Sequence, residues 1–299
     1  MADMETDFNI EDYRTEHSMD YLIAMELILN TPYKVEAFQT LYGITRLHIP
    51  NILYKYYSLS DNDSLNESKI ETLRNEKVYM SDIKSLNDPF DNKAYFYKYE
   101  ELRKYKELHA VDGRIIDDLS SFSRVSSFTA NGINCMPMWA HYSNNHQGFC
   151  VLYDMKNKNN TKLSGCMFPI QYSTTRIDIT SIMDEQVQMV LSEKQKQMAA
   201  GRKEIIIDDL TLVFLISYLG NIKHETWSYE KEYRCTAGAT AKGMPFITAI
   251  PQKLYIGKDC SPRYIKKLID VAFELNIPVF QMIFNEYDTN YNLTAKKIL

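Results

Sequence analysis

Strand-type segments in this chain come in runs, with helical segments interspersed irregularly, and that ordering constrains the fold more than any other feature. A regular α/β fold needs strand and helix to alternate, so that each crossover covers one face of a parallel sheet. Here strands are predicted at 52–58, 77–81, 124–129, 148–153, 167–172, 231–237, 246–249, 253–256 and 278–284. Aromatic and β-branched residues are frequent in these stretches, as a half-buried pleated surface favours. Helical spacing predicts helices over 64–75, 95–110, 138–143, 184–201, 208–220 and 262–275. Ser64 and Glu67 are spaced as a capping box at the start of the first. The class is α+β, with a mixed or mostly antiparallel sheet and flanking helices.

Residues 1–50 differ in character. Tyr21, Leu22, Met25, Leu27, Ile28 and Leu29 fall on one broad helical face, and Pro32 marks a break before a second helix over 35–42. This N-terminal helical extension is a lid, a docking surface or padding for a core, and 51–299 forms the main domain. The first sixteen residues are acidic and lack the pattern of a signal peptide. No apolar stretch approaches the roughly 20 residues a membrane helix needs, so the expected location is cytoplasmic, with no membrane partner. A net charge of −5 argues against coating nucleic acid through bulk charge. The 5 cysteines are odd in number and contain no CxxC pair, so neither a disulfide framework nor a structural zinc site is expected.

Three stretches carry groups suited to chemistry. In Trp227–Arg234 (WSYEKEYR), strand alternation would put Glu230, Glu232 and Arg234 on one face. Paired carboxylates there can stabilise developing positive charge and orient an acceptor; the alternative is a solvated face of exposed ion pairs. In Met138–Gly148 (MWAHYSNNHQG), Trp139, His141, Tyr142 and His146 precede a glycine that leads into an apolar strand. The five-residue spacing of its histidines suits metal binding poorly, and no metal is expected. In the 54–58 strand, Lys55, Tyr56 and Tyr57 can line a nucleotide cleft or pack at a sheet edge. The Asn87–Asp91 segment (NDPFD) is a turn. The P-loop, GxGxxG, GxSxG and HExxH patterns are absent from the sequence.

Taken together, LYKYYSL (53–59), LNDPFD (86–91), MWAHYSNNHQGFCVLYD (138–154) and WSYEKEYR (227–234) resemble, in order and spacing, a bacterial domain family of unknown function. Its members carry LYKYRS, NDPFE, WAHYAxxHKGxCxxFD and YEKEWR patterns, and the likeness spans 52–284. That family in turn resembles the split-sheet core of ADP-ribosyltransferases. The resemblance implies a catalytic domain over 51–299 with NAD as co-substrate. It puts Lys55 or Tyr57 at the first-strand NAD contact, usually histidine or arginine, and Ser81 at the second-strand position. Glu232 takes the place of the catalytic glutamate, with Glu230 orienting the acceptor and Tyr56 or Tyr142 stacking on a ring. Lys55 and Tyr57 depart from the usual residues, and His141 is positioned to supply an imidazole. The implied function is transfer of ADP-ribose to a protein or nucleic-acid acceptor, RNA or DNA, as a bacterial toxin or anti-phage defence effector. An antitoxin or chaperone would bind the N-terminal helices. A non-catalytic nucleotide-sensing or protein-binding module is the alternative. A metal-dependent nuclease would have to draw on the scattered Asp88, Asp91 and His141.

Overall fold

A computed structural model describes residues 49–91, 93–115, 123–204, 206, 219–238 and 245–299. The predicted N-terminal extension lies outside them except for Ile49 and Pro50, and so does the 208–220 helix except for Leu219 and Gly220. The described strands are β1 (Ile52–Tyr57), β2 (Lys77–Tyr79), β3 (Ser81–Asp82), β4 (Tyr95–Phe96), β5 (Ser123–Thr129), β6 (Phe149–Asp154), β7 (Met167–Pro169), β8 (Gln171–Ser173), β9 (Ile177–Asp178), β10 (Ile222–His224), β11 (Glu232–Gly238), β12 (Phe246–Thr248), β13 (Pro251–Ile256), β14 (Val279–Phe284) and β15 (Leu293–Lys297). The described α-helices are α1 (Asp63–Arg74), α2 (Tyr99–Leu102), α3 (Met136–Tyr142), α4 (Thr161–Gly165), α5 (Thr180–Ala199) and α6 (Pro262–Glu274). The fold is mixed α+β, and the chain forms two compact units.

The larger unit comprises 49–86, 123–170 and 225–299. Its sheet runs β15-β14-β13-β6-β1-β5-β11-β7, with β3 also paired to β5. The β13–β14 pair is parallel; β1, β6, β5, β11 and β7 pair antiparallel. β6 reads Phe-Cys-Val-Leu-Tyr-Asp, and its first five residues are buried. A strand covered on both faces loses apolar–polar alternation, and β6 lies between β1 and β13 near the middle of the order. Helix α6 buries Tyr264, Leu268, Val271 and Ala272, one stripe at helical spacing. It is tied to α1 by the Tyr264 hydroxyl, which accepts from the Asn66 amide at 3.0 Å.

Two local readings need correction here. Helix α1 is capped by Asn62, whose side-chain oxygen accepts the Leu65 N–H at 3.0 Å, and Ser64 lies inside the first turn. The predicted 77–81 strand is two strands with different partners: β2 pairs with β12, and β3 with β5. The Met80 N–H still bonds the Pro245 carbonyl at 2.7 Å before the chain crosses to β5.

The smaller unit includes the described parts of 87–122 and 171–224. The predicted 95–110 helix is instead β4, α2 and a 3-10 turn over Lys106–Val111. β4 pairs in parallel with β9, and the Arg176 guanidinium donates to the Lys93 and Tyr95 carbonyls at 2.6 and 2.7 Å. Helix α5 supplies Met183 to a core with Tyr95, Leu102, Ile179, Leu219 and Ile222. The 87–91 turn forms as predicted: Asp88 Oδ1 accepts the Phe90 N–H at 2.8 Å, and the Asp88 carbonyl accepts the Asp91 N–H at 3.0 Å.

Candidate functional site

In the larger unit, β1 and β5 meet in one residue pair, Tyr54 opposite Thr129, among the described residues. Beyond that pair the strands part. β5 turns the same edge to β3, with Ser81 opposite Val125, while β1 stays on β6 through Tyr57. A gap opens inside the sheet between the last residues of β1 and the middle of β5. Lys55 reaches into it, and its Nζ donates to the Ser127 carbonyl at 3.0 Å. The amine also stands 5.2 Å from the centre of the Phe128 ring and 5.6 Å from that of Tyr57.

A cavity of about 420 Å³ lies at this gap. β1 and the residue after it contribute Lys55, Tyr56, Tyr57 and Ser58; α3 contributes His141 and Tyr142; β3 contributes Ser81. Thus the six residues singled out for cofactor contact all line one cavity. Tyr79 of β2, Phe246 of β12 and the α1 residues Leu65, Ser68, Lys69 and Thr72 complete the wall. These last six were missed by sequence reasoning. The α1 set was legible, since 65, 68, 69 and 72 fall on one helical face; the β2 and β12 aromatics depend on a long-range pairing.

No Asp or Glu is among the described lining residues. The wall is cationic, hydroxylic and aromatic. Burial pushes the Lys55 amine down to about 8, against smaller opposing effects of Cys235 and Glu232. Burial also lowers Lys69, whose Nζ donates to the Ser58 carbonyl at 2.6 Å and the Ser58 hydroxyl at 3.0 Å. The tyrosine hydroxyls of β1 are engaged elsewhere: that of Tyr56 donates to the Gly132 carbonyl at 3.1 Å, and that of Tyr57 lies 3.2 Å from the Tyr153 hydroxyl. Burial raises both phenols well above their usual range. Tyr56 and Tyr57 therefore offer rings rather than polar tips to the cavity.

The acidic segment is buried, unlike the solvated face weighed above. Glu230 and Glu232 are each 3% exposed, and Arg234 is 0% exposed. Strand alternation begins only at Glu232, because Glu225–Glu230 is a 3-10 turn and Lys231 has a φ of 44°. Glu232 and Arg234 do share a face, where Nε donates to Oε1 at 2.8 Å and Nη2 to Oε2 at 3.2 Å. Glu230 reaches the site by another route: its carboxylate accepts the Tyr142 hydroxyl. Beside it, His141 Nδ1 lies 2.8 Å from the Tyr229 hydroxyl. Successive residues of α3 thus fasten to the segment that leads into β11. Register places Glu232 opposite Thr129, itself opposite Tyr54. Glu232 therefore projects on the face of Tyr54 and Tyr56, while Lys55 projects on the other.

The turn after α3 sets its end. Asn144, Asn145 and His146 all have positive φ, 51°, 51° and 66°, a conformation asparagine tolerates better than most residues. The Asn145, His146, Gln147 and Gly148 amides bond the carbonyls of Ala140, Trp139, Asn144 and Ser143. Gly148 then passes so close to β1 that a Cβ there would lie 1.9 Å from the Tyr57 carbonyl.

Among the described residues, no group of three His, Cys, Asp or Glu side chains is gathered as a metal centre requires, and no helix is long and apolar enough to cross a membrane. No curated protein and no solved structure matches the chain. Residues 138–235, which hold α3 from Met138 onward, the turn after it, and β11 as far as Cys235, match the model of a protein family of unknown function, DUF2971.

Proposed function

We propose that the protein is an NAD-dependent ADP-ribosyltransferase acting on a protein or nucleic-acid acceptor. Convergence carries this reading: Lys55, Tyr56, Tyr57, Ser81, His141 and Tyr142, drawn from three separate stretches of sequence, line one cavity. A wall of cations, hydroxyls and aromatic rings suits a dinucleotide, with Lys55 and Lys69 toward the pyrophosphate and Tyr142 or the Tyr56 ring against a base. Ser81 bonds the nicotinamide side. Glu232 bonds the nicotinamide ribose and stabilises the positive charge that develops on the sugar as the bond to nicotinamide breaks. Arg234 fixes that carboxylate, and Glu230, held by Tyr142, orients the acceptor nucleophile.

The test is to incubate the protein with NAD labelled in its ADP-ribose part and a cell extract, then follow nicotinamide release and label in protein, RNA and DNA. Release and transfer by the parent, and loss of both in a folded Glu232→Gln protein, are expected. Equal rates in the two proteins would overturn the assignment of Glu232. One observation favours a nucleotide-sensing module without turnover instead. The Glu232 carboxylate is paired with Arg234 and is not among the residues lining the cavity. That module would bind NAD saturably and release no nicotinamide.

A further inference from the structure

Lys55 is an unusual lysine. Among the described residues it forms no ion pair, and its one hydrogen bond is to the Ser127 carbonyl. Two aromatic rings flank the amine, yet it lies on the wall of a cavity. Surface lysines keep their charge because water or a carboxylate solvates it; here no carboxylate pairs with the head group, and burial disfavours its charged form. A neutral amine that donates one N–H to Ser127 keeps its lone pair directed away from that carbonyl. Across the cavity, one face of α1 presents the Ser68 hydroxyl and the Lys69 amine, which has one N–H left beyond its two bonds to Ser58; the Thr72 hydroxyl beside them donates to the Ser68 carbonyl. That set suits a phosphate, and the ring of Tyr142 suits a planar group beside it.

We propose that Lys55 is a nucleophilic lysine whose amine condenses with phosphate-bearing carbonyl compounds held in this cavity. The Nζ lone pair adds to the carbonyl carbon, the two amine protons leave with the carbonyl oxygen as water, and a C=N bond remains. This chemistry goes beyond ADP-ribosyl transfer and does not require NAD. The lowered proton affinity agrees with it: with a value of about 8, half of the amine is neutral near that pH, whereas an ordinary lysine near 10.4 is neutral in about one molecule in 250. The titratable groups around Lys55 are Cys235 and Glu232 on β11, both of which favour its charged form, Tyr57 on its own strand, Lys69 on α1 and His141 on α3.

Pyridoxal 5′-phosphate is the probe, used on the full-length protein and trapped with borohydride. Hydride adds to the imine carbon and solvent protonates the nitrogen, so that a secondary amine is fixed and located by peptide mass mapping. Lys55 is expected to label at least about 10-fold faster than any exposed lysine, with a rate that levels off just above pH 8. Pyridoxal, lacking the phosphate, is expected to label it more slowly. Labelling spread evenly over surface lysines, or equal rates for the two aldehydes, would overturn the proposal. Mapping is done on the parent protein, so no variant has to fold. NAD should slow the labelling if the cavity is its site. If it does not, while Lys55 remains the labelled residue, the NAD reading fails and the nucleophilic lysine stands.

Discussion

Glu232 and Arg234 stand two residues apart on one strand, both out of water, and their energetics differ from those of an exposed pair. Removing one partner leaves a buried charge uncompensated, whereas replacing both with apolar side chains removes the problem. Glu232→Gln is therefore expected to lower unfolding free energy by on the order of 3 kcal/mol, read from urea denaturation. Glu232→Met combined with Arg234→Met should recover most of that loss while remaining inactive toward NAD, which separates the pair's structural role from its chemical one. A double variant as unstable as the single would contradict the pairing. Lys55 gives a second residue-level prediction. Its folded-state value of about 8 lies below the ordinary lysine value, so between the two the folded protein binds fewer protons than the unfolded chain. Stability from this residue rises with pH across that window. Lys55→Met should be more stable than the parent below pH 8, and its advantage should shrink as pH climbs toward 10. An advantage constant from pH 7 to 10 would mean the amine is not perturbed. Sequence reasoning reached Lys55, Glu230 and Glu232 through short motifs. It did not reach Lys69, whose role depends on which face of α1 meets β1.

At the level of elements, local pattern was a good guide where packing agreed with it. The β6 and β13 strands and the α6 helix lie within a few residues of their predicted ranges, because apolar runs and a helical stripe are local signals. The 95–110 segment was misread for a physical reason: its tyrosines and charges fit a solvated helix, but Tyr95 and Phe96 are taken by β9 and only Tyr99–Leu102 completes an α-turn. The face shared by Glu230 and Glu232 failed similarly, since a left-handed Lys231 interrupts the alternation. The turn after α3 makes the firmest element-level prediction. Gly148→Ala would drive a Cβ into the Tyr57 carbonyl and also within 3.0 Å of the Ser143 carbonyl. Both are main-chain atoms of elements that cannot yield separately, so a loss of at least about 2 kcal/mol is expected by thermal or urea unfolding. A change below about 0.5 kcal/mol would show that β1 and α3 move apart easily.

At the scale of the molecule, the cavity belongs wholly to the larger unit, whose segments come from three separated parts of the sequence. That is why the site was only half legible: each motif could be seen, but the parting of β1 from β5 is set by β3 taking the same edge of β5, a choice among long-range pairings that no local pattern records. The same architecture bears on how fast a ligand is captured. His141 and Tyr142 sit at the end of a helix followed by a turn whose Asn145, His146, Gln147 and Gly148 amides are bonded back onto the helix or the turn itself, and both side chains are already fastened to Tyr229 and Glu230. Few rotamers remain to be frozen when something enters, so little conformational entropy is lost at this wall. Mixing the protein with a nucleotide in a stopped-flow instrument should give one exponential phase whose rate rises linearly with concentration, with an association rate constant of at least about 10⁵–10⁷ M⁻¹s⁻¹. A second phase that saturates would mean this wall reorganises. A site fixed before its ligand arrives is selective by shape from the first collision, and compounds that do not fit should be turned away by fast departure rather than slow entry.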